Sequence, residues 1–153
     1  MGIIADDTNI YYSNTQTGRK NISPFKVDKN VDGKFDEKDD AVTYPFRFAI
    51  LTSYRSFSCA NLLPCYAKAD GIMVIGERSS GGCCPTISTA LGCGAFCMIS
   101  RFKQIVTKDG AGIDGGAAPD QEIEVKRDAE GNADYSAFFD IDALSKYINS
   151  FYK

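Results

Sequence analysis

Two apolar runs, "FAILTS" at 48–53 and "IMVIGE" at 72–77, stand a helix-length apart, and this spacing constrains the chain more than any other feature. A strand that is apolar at consecutive positions is covered on both faces, and two such strands joined through a helix pair in parallel by a right-handed crossover. The first run opens in "PFRFAILTS" and passes through a turn-like "YRS". The connecting segment "FSCANLLPCYAKADG" predicts about three turns of helix, with Ser56 or Ser58 as N-cap and Asp70-Gly71 as the stop. Pro64 conflicts with a helix interior, so the helix either begins nearer Asn61 or kinks there. A strand, helix, strand unit of this kind sets an α/β class.

The remaining segments are less regular. Residues 1–40 are polar, with "NIYY" as the one strand-like piece, and cannot form a core alone. "RSSGGCCPT" reads as a glycine-rich loop, "GAFCMIS" and "KQIVT" as short strands, "KDGAGIDGGAAPD" as a loop and "QEIEVKRD" as a strand. "DIDALSKYINSFYK" is a final amphipathic helix, capped by Asp140, with Ile141, Leu144, Ile148 and Phe151 on one face. The apolar "FCMIS" and "AFF" segments read as core.

Composition removes several function classes. Seventeen basic and twenty acidic residues are interspersed for a net charge of −3, so there is no basic surface for nucleic acid or anionic membrane. No stretch approaches a membrane-spanning length, and "MGIIADDTN" lacks the features of a signal peptide. There is no histidine among the 153 residues, which removes the commonest general base. Cys59, Cys65, Cys83, Cys84, Cys93 and Cys97 fit neither a zinc pattern nor a spread disulfide framework, and read as buried free thiols.

"DKNVDGKFDEKD", residues 28–39, matches a twelve-residue calcium loop. Asp28, Asn30 and Asp32 take positions one, three and five, Gly33 the sharp turn, and Phe35 the apolar eighth position. The Lys34 carbonyl, Asp36 and Asp39 complete the oxygens at seven, nine and twelve. The twelfth residue is the shorter aspartate in place of the usual glutamate, which implies modest affinity. With one loop and no convincing flanking helices, the expected role of Ca2+ is structural; the alternative is a solvated acidic turn.

Ser58 follows a strand and a tight turn and stands where a helix begins. A hydroxyl in that place either caps the helix or projects as a nucleophile beside free backbone N–H groups. The segment "FAILTSYRSFSCANLLPCYAKADGIMVIGERSSGG" resembles the carboxy-terminal-processing, or tail-specific, serine peptidases and their tricorn-core-like branch. These share a Ser-rich turn, a nucleophilic serine three residues before Glu or Asn, a helix, a strand ending in Gly-Glu, and a glycine-rich loop. Ser58, Asn61 and Gly76-Glu77 take those positions, and "DGAGIDGGAAPDQEIEV" is similar to the family's later segment. The resemblance implies a Clp-protease/crotonase-like core, incomplete in this chain, and cleavage of a polypeptide substrate through an acyl-enzyme on Ser58. The N–H of Cys59 would form part of the oxyanion hole.

Two departures from the pattern matter. The family's dyad lysine falls at Gly82, and the histidine of the tricorn-like arrangement has no counterpart. The chain therefore reads as a C-terminal part of a peptidase, residues 44–153, preceded by a polar insertion, 1–43, that carries the calcium-type loop. A missing N-terminal segment would supply the base, and the chain alone would be inactive or nearly so. The alternative is a calcium-stabilised, non-catalytic peptide-binding module. A thiol mechanism at Cys59 lacks a base equally, and "SRFK" at 100–103 is a weak Ser-x-x-Lys match. Such peptidases imply a secreted or cell-envelope bacterial protein.

Overall fold

The computed structural model describes every residue except Cys83. In chain order the elements are β1 (Asn9–Asn14), β2 (Lys20–Pro24), α1 (Glu37–Asp40), β3 (Ala49–Thr52), α2 (Cys59–Ala69) and β4 (Met73–Gly76). They continue as β5 (Thr86–Ala90), β6 (Phe96–Ser100), β7 (Lys103–Val106), β8 (Gln121–Glu122), β9 (Lys126–Arg127) and β10 (Ala133–Asp134). A 3-10 turn at Ser136–Phe139 leads to α3 (Ile141–Phe151). The fold is α/β.

The expected unit is present: β3 and β4 pair in parallel, Ala49 with Met73 through Thr52 with Gly76, and β8 adds a parallel strand beyond β4. All of β4 is buried. Alternation sends Met73 and Ile75 to one face, where they meet Ile123, Phe138 and the Leu144 and Ile148 side of α3. The other face lies under α2. Gly76 ends β4 where a Cβ would come 2.1 Å from the Thr52 carbonyl oxygen, so only glycine lets the two strand ends approach.

Helix α2 starts at Cys59 and keeps Pro64 inside it, which excludes a start near Asn61. Its stop falls where the sequence places it. Gly71 takes φ +76, its N–H donates to the Lys68 carbonyl, and the Ile72 N–H donates to that of Ala67. That 5→2 and 6→1 pairing is the Schellman arrangement.

The polar first forty residues gain structure by borrowing a partner. β1 pairs antiparallel with β2 on one side and with β7 on the other. The Tyr11 N–H donates to the Tyr66 hydroxyl oxygen at 3.0 Å, and that hydroxyl donates to the Val106 carbonyl at 2.8 Å.

Several sequence expectations need correction. "QEIEVKRD" divides between β8 and β9, and β2, β5 and β10 are strands that the sequence pattern does not signal. On α3, Asp140 caps through the Ala143 N–H, but only Leu144 and Ile148 of the expected face pack against the core. Ile141 and Phe151 stay exposed. Phe138 is core whereas its neighbour Phe139 is exposed, and "FCMIS" is a solvent-facing strand rather than core. Cys65 is buried, but Cys59 and Cys93 are exposed and Cys84 and Cys97 half-buried; Cys83 lies outside the described residues.

Candidate active site

The turn between β3 and α2 is built by short hydrogen bonds and then locked from a distance. The Ser56 N–H donates to the Ser53 carbonyl at 2.8 Å, and the Ser53 N–H to the Ser56 hydroxyl oxygen at 3.1 Å. The next N–H, that of Tyr54, donates to the Glu77 carboxylate at 3.1 Å, while Arg127 donates to the other Glu77 oxygen at 2.8 Å. Burial alone would raise the Glu77 pKa. The Arg127 hydrogen bond, the Tyr54 N–H and the Arg127 charge outweigh it and hold the carboxyl below its ordinary range.

The chain then enters Ser58 at φ 57°, ψ −119°, a conformation that a residue with a Cβ rarely adopts. Its N–H donates to the Gly81 carbonyl at 2.9 Å, and its own carbonyl accepts from the Asn61 and Leu62 N–H groups. Ser58 takes the N-cap position of α2, as the sequence places it, but its side chain makes no capping bond. Among the described residues the Cys59 N–H has no acceptor, as expected for the first turn of a helix. A strained serine with an unspent hydroxyl thus stands beside a free, positively polarised N–H group.

Asn61, fully buried one turn into α2, holds the surrounding loops. Its amide donates to the carbonyls of Ile113 at 2.8 Å and Gly82 at 3.2 Å, and its oxygen accepts from the Ser79 hydroxyl at 2.7 Å and from Cys65. The Ser79 hydroxyl oxygen in turn accepts from the Ala117 N–H at 2.7 Å. The two glycine loops that Asn61 joins touch backbone to backbone: a Cβ on Gly81 would come 1.8 Å from the Asp114 carbonyl oxygen, and one on Gly116 2.0 Å from that of Ser79. Sequence reasoning placed Asn61 and Glu77 by resemblance but missed Ser79 and the 113–117 loop. The paired glycines at 81–82 and 115–116 were the available signal of close approach.

Gly82, where a lysine would stand in a Ser-Lys dyad, takes φ +77, and a Cβ there would meet the Phe57 ring at 2.6 Å. A side chain at this position would be strained by the backbone and would have to displace the exposed Phe57 ring, and glycine itself supplies no base. In "SRFK" the Lys103 ammonium lies 3.5 Å over the Tyr12 ring.

The acidic loop is organised locally. Asp28 accepts from the N–H groups of Asp32 and Gly33, Asn30 from Asp32, Asp32 from Lys34, and Asp36 caps α1 through Lys38. Asp39, 5% exposed, accepts from the N–H groups of Lys29, Asn30 and Asp36. Burial would raise its pKa, but these three N–H groups and the Lys29 charge hold it below the usual carboxylate range. Among the described residues no three acidic or thiol side chains gather closely enough to cage a metal. The N–H bonds still leave lone pairs on most of these oxygens.

No protein-family model matches the sequence, and no curated protein does. Solved structures do. A lipoprotein from Streptococcus agalactiae is similar at a TM-score of 0.59 and 16% identity, over 97% of this chain and 46% of that one. The likeness is one of fold. A candidate peptidase from Parabacteroides merdae is similar at a TM-score of 0.56 and 16% identity, over 92% of this chain and 42% of its own. Mature CPAF complexed with lactacystin matches at 0.49 and 19%, over 71% and 20% respectively. The chain spans less than half the length of these neighbours. No helix among the described residues is long and apolar enough to cross a membrane.

Proposed function

We propose that this chain is the nucleophile-bearing part, residues 44–153, of a serine peptidase of the tail-specific, tricorn-core-like kind on a Clp-protease/crotonase-like core. The observation that carries this reading is Ser58: strained backbone, uncommitted hydroxyl and free Cys59 N–H, at one convergence of loops. In the reaction the Ser58 Oγ attacks the scissile carbonyl carbon and its proton passes to a base. The Cys59 N–H steadies the oxyanion, and the C–N bond breaks as the proton reaches the leaving amine. Water then hydrolyses the ester and regenerates the hydroxyl. The base comes from a companion segment, since this chain holds no histidine and has glycine at 82, where the dyad lysine would stand. Space for that segment exists: β3 is the outer strand of its sheet, with Leu51 45% and Phe57 60% exposed beside it.

Residues 1–43 would be an insertion stiffened by Ca2+ on Asp28, Asn30, Asp32, the Lys34 carbonyl, Asp36 and Asp39. The backbone is suited to it, with Gly33 at φ +81 in the sharp turn, and binding would draw the carboxylates inward. The setting would be the bacterial envelope or exterior, where calcium is plentiful.

A longer chain that includes the preceding segment should cleave an unstructured polypeptide and lose that activity in Ser58→Ala, while the 153-residue chain alone stays inactive. Equal cleavage by Ser58→Ala would sink the proposal. The missing base favours a second reading, a non-catalytic peptide-binding module. Peptide binding without cleavage by the longer chain would select it.

A further inference from the structure

The turn that presents Ser58 is gripped by the segment that follows β4. The Glu77 carboxylate accepts the Tyr54 N–H at 3.1 Å, and the Ser80 hydroxyl donates to the carbonyl of the same tyrosine. The Ser80 N–H donates to the Ser56 carbonyl and the Gly81 carbonyl accepts the Ser58 N–H, each at 2.9 Å. A backbone outlier such as Ser58 persists only where its surroundings over-determine it, and these bonds do so. The grips from Ser80 and Gly81 come from the backbone or from a short side chain. Glu77 reaches Tyr54 through a long, rotatable one, so its carboxylate needs a holder of its own.

That holder is Arg127, whose strand β9 pairs with β10 through Ala133. Its Nη2 donates to Glu77 Oε1 at 2.8 Å, so one carboxylate oxygen is fixed by the cation while the other holds the turn. Its Nη1 donates to the Val125 carbonyl at 3.3 Å, and Val125 packs against the core cluster of Met73, Ile75, Ile123 and Phe138. The guanidinium is thus tied to the buried core on one side and to the Glu77 carboxylate on the other. With the Arg127 side chain 39% exposed, the ion pair adds little to global stability. Its effect is local: it aims a carboxylate.

We infer that Arg127 is a positioning residue for the Ser58 nucleophile, acting through Glu77 and the Tyr54 N–H on the turn that carries the serine. This role rests on the peptidase reading of Ser58. Without the guanidinium, Glu77 is free to turn toward water and the Tyr54 N–H loses its acceptor. The Ser58 Oγ is then held less often where it attacks. Arg127 lies just past Val125, where the peptidase-like segment ends, so the site draws on sequence outside that segment.

Amide exchange on the 153-residue chain tests the structural link. Arg127→Ala should speed exchange of the Tyr54 amide about tenfold, and of Ser56 and Ser58 to a lesser degree, while the β4 amides keep their wild-type rates. Arg127→Lys, which can still donate a hydrogen bond to Glu77, should restore most of that protection. Unchanged exchange at Tyr54 and Ser58 overturns the proposal, and so does a loss spread evenly over β4 and the turn. Should Arg127→Ala lose its fold, Arg127→Gln, which removes the charge but keeps a long side chain, takes its place. In a longer chain that supplies the base, the rate at which a fluorophosphonate modifies Ser58 should fall about tenfold in Arg127→Ala and recover in Arg127→Lys. A longer wild-type chain left unmodified sinks the peptidase reading itself, whereas equal rates in wild type and Arg127→Ala sink only the positioning role.

Discussion

The Ser58 turn and the acidic loop are both short, polar and rich in hydrogen bonds, yet they are held by opposite means. Around Ser58 the decisive bonds cross long stretches of chain: Asn61 to Ile113 spans 52 residues, Tyr54 to Glu77 spans 23, and Ser79 to Asn61 spans 18. In the acidic loop Asp28 reaches five residues to Gly33, Asp39 reaches ten to Lys29, and the longest bond, from the Tyr44 hydroxyl to the Lys29 carbonyl, spans fifteen. One site exists only when the whole fold does. The other carries its own geometry and needs little from its surroundings.

The comparison would break most plainly at Asn61. Asn61→Ala leaves the Ile113 and Gly82 carbonyls and the Ser79 hydroxyl short of partners in a buried place, and should cost about 3 kcal/mol in urea unfolding. Asp28→Ala, at the surface, should cost less than about 1 kcal/mol. Equal losses would mean that the long-range bonds do not hold the Ser58 turn.

Asp39 is the buried anchor of the acidic loop, and Asp39→Asn should destabilise the chain at neutral pH by more than Asp28→Ala does, since hydrogen bonds to a charged acceptor are the stronger kind. Its carboxyl lies below its unfolded value, so its contribution is present above about pH 4 and fades as pH falls through the depressed folded value. Stability measured against pH should therefore lose part of its acid-side slope in Asp39→Asn. An unchanged slope would show that the loop does not depend on this charge.

Calcium sharpens the same contrast. At ten times Kd it should raise unfolding stability by about 1.4 kcal/mol, and Asp28→Ala should abolish that gain. Absence of both heat and stabilisation at millimolar calcium would leave the loop a solvated acidic turn. The smallest effect belongs to Ser58→Gly, which relieves the strain at φ 57° and should gain about 1 kcal/mol. A loss of stability would show that Ser58 is not strained.

The same division explains what could be read from sequence. The Asp28–Asp39 spacing is a local pattern, and the local bonds follow it. The parallel β3–α2–β4 unit was legible because apolar runs and the Asp70-Gly71 stop are short-range signals. Ser79 and the 113–117 loop escaped because nothing near Asn61 in sequence says what its amide will touch. β6 misled for the reverse reason: an apolar alternating strand reads as core whether or not the rest of the chain covers it. The N-terminal strands were obscured because polar β1 is stabilised by its pairing with β7, more than ninety positions away (Tyr12 with Ile105, for example).

Mapping a fluorophosphonate adduct by mass spectrometry tests the central claim most directly. The account predicts that the 153-residue chain stays unmodified and that a longer chain supplying the base is modified at Ser58. Modification of the isolated chain at Ser58 would contradict the missing base, and a longer chain left unmodified at Ser58 would contradict the nucleophile itself.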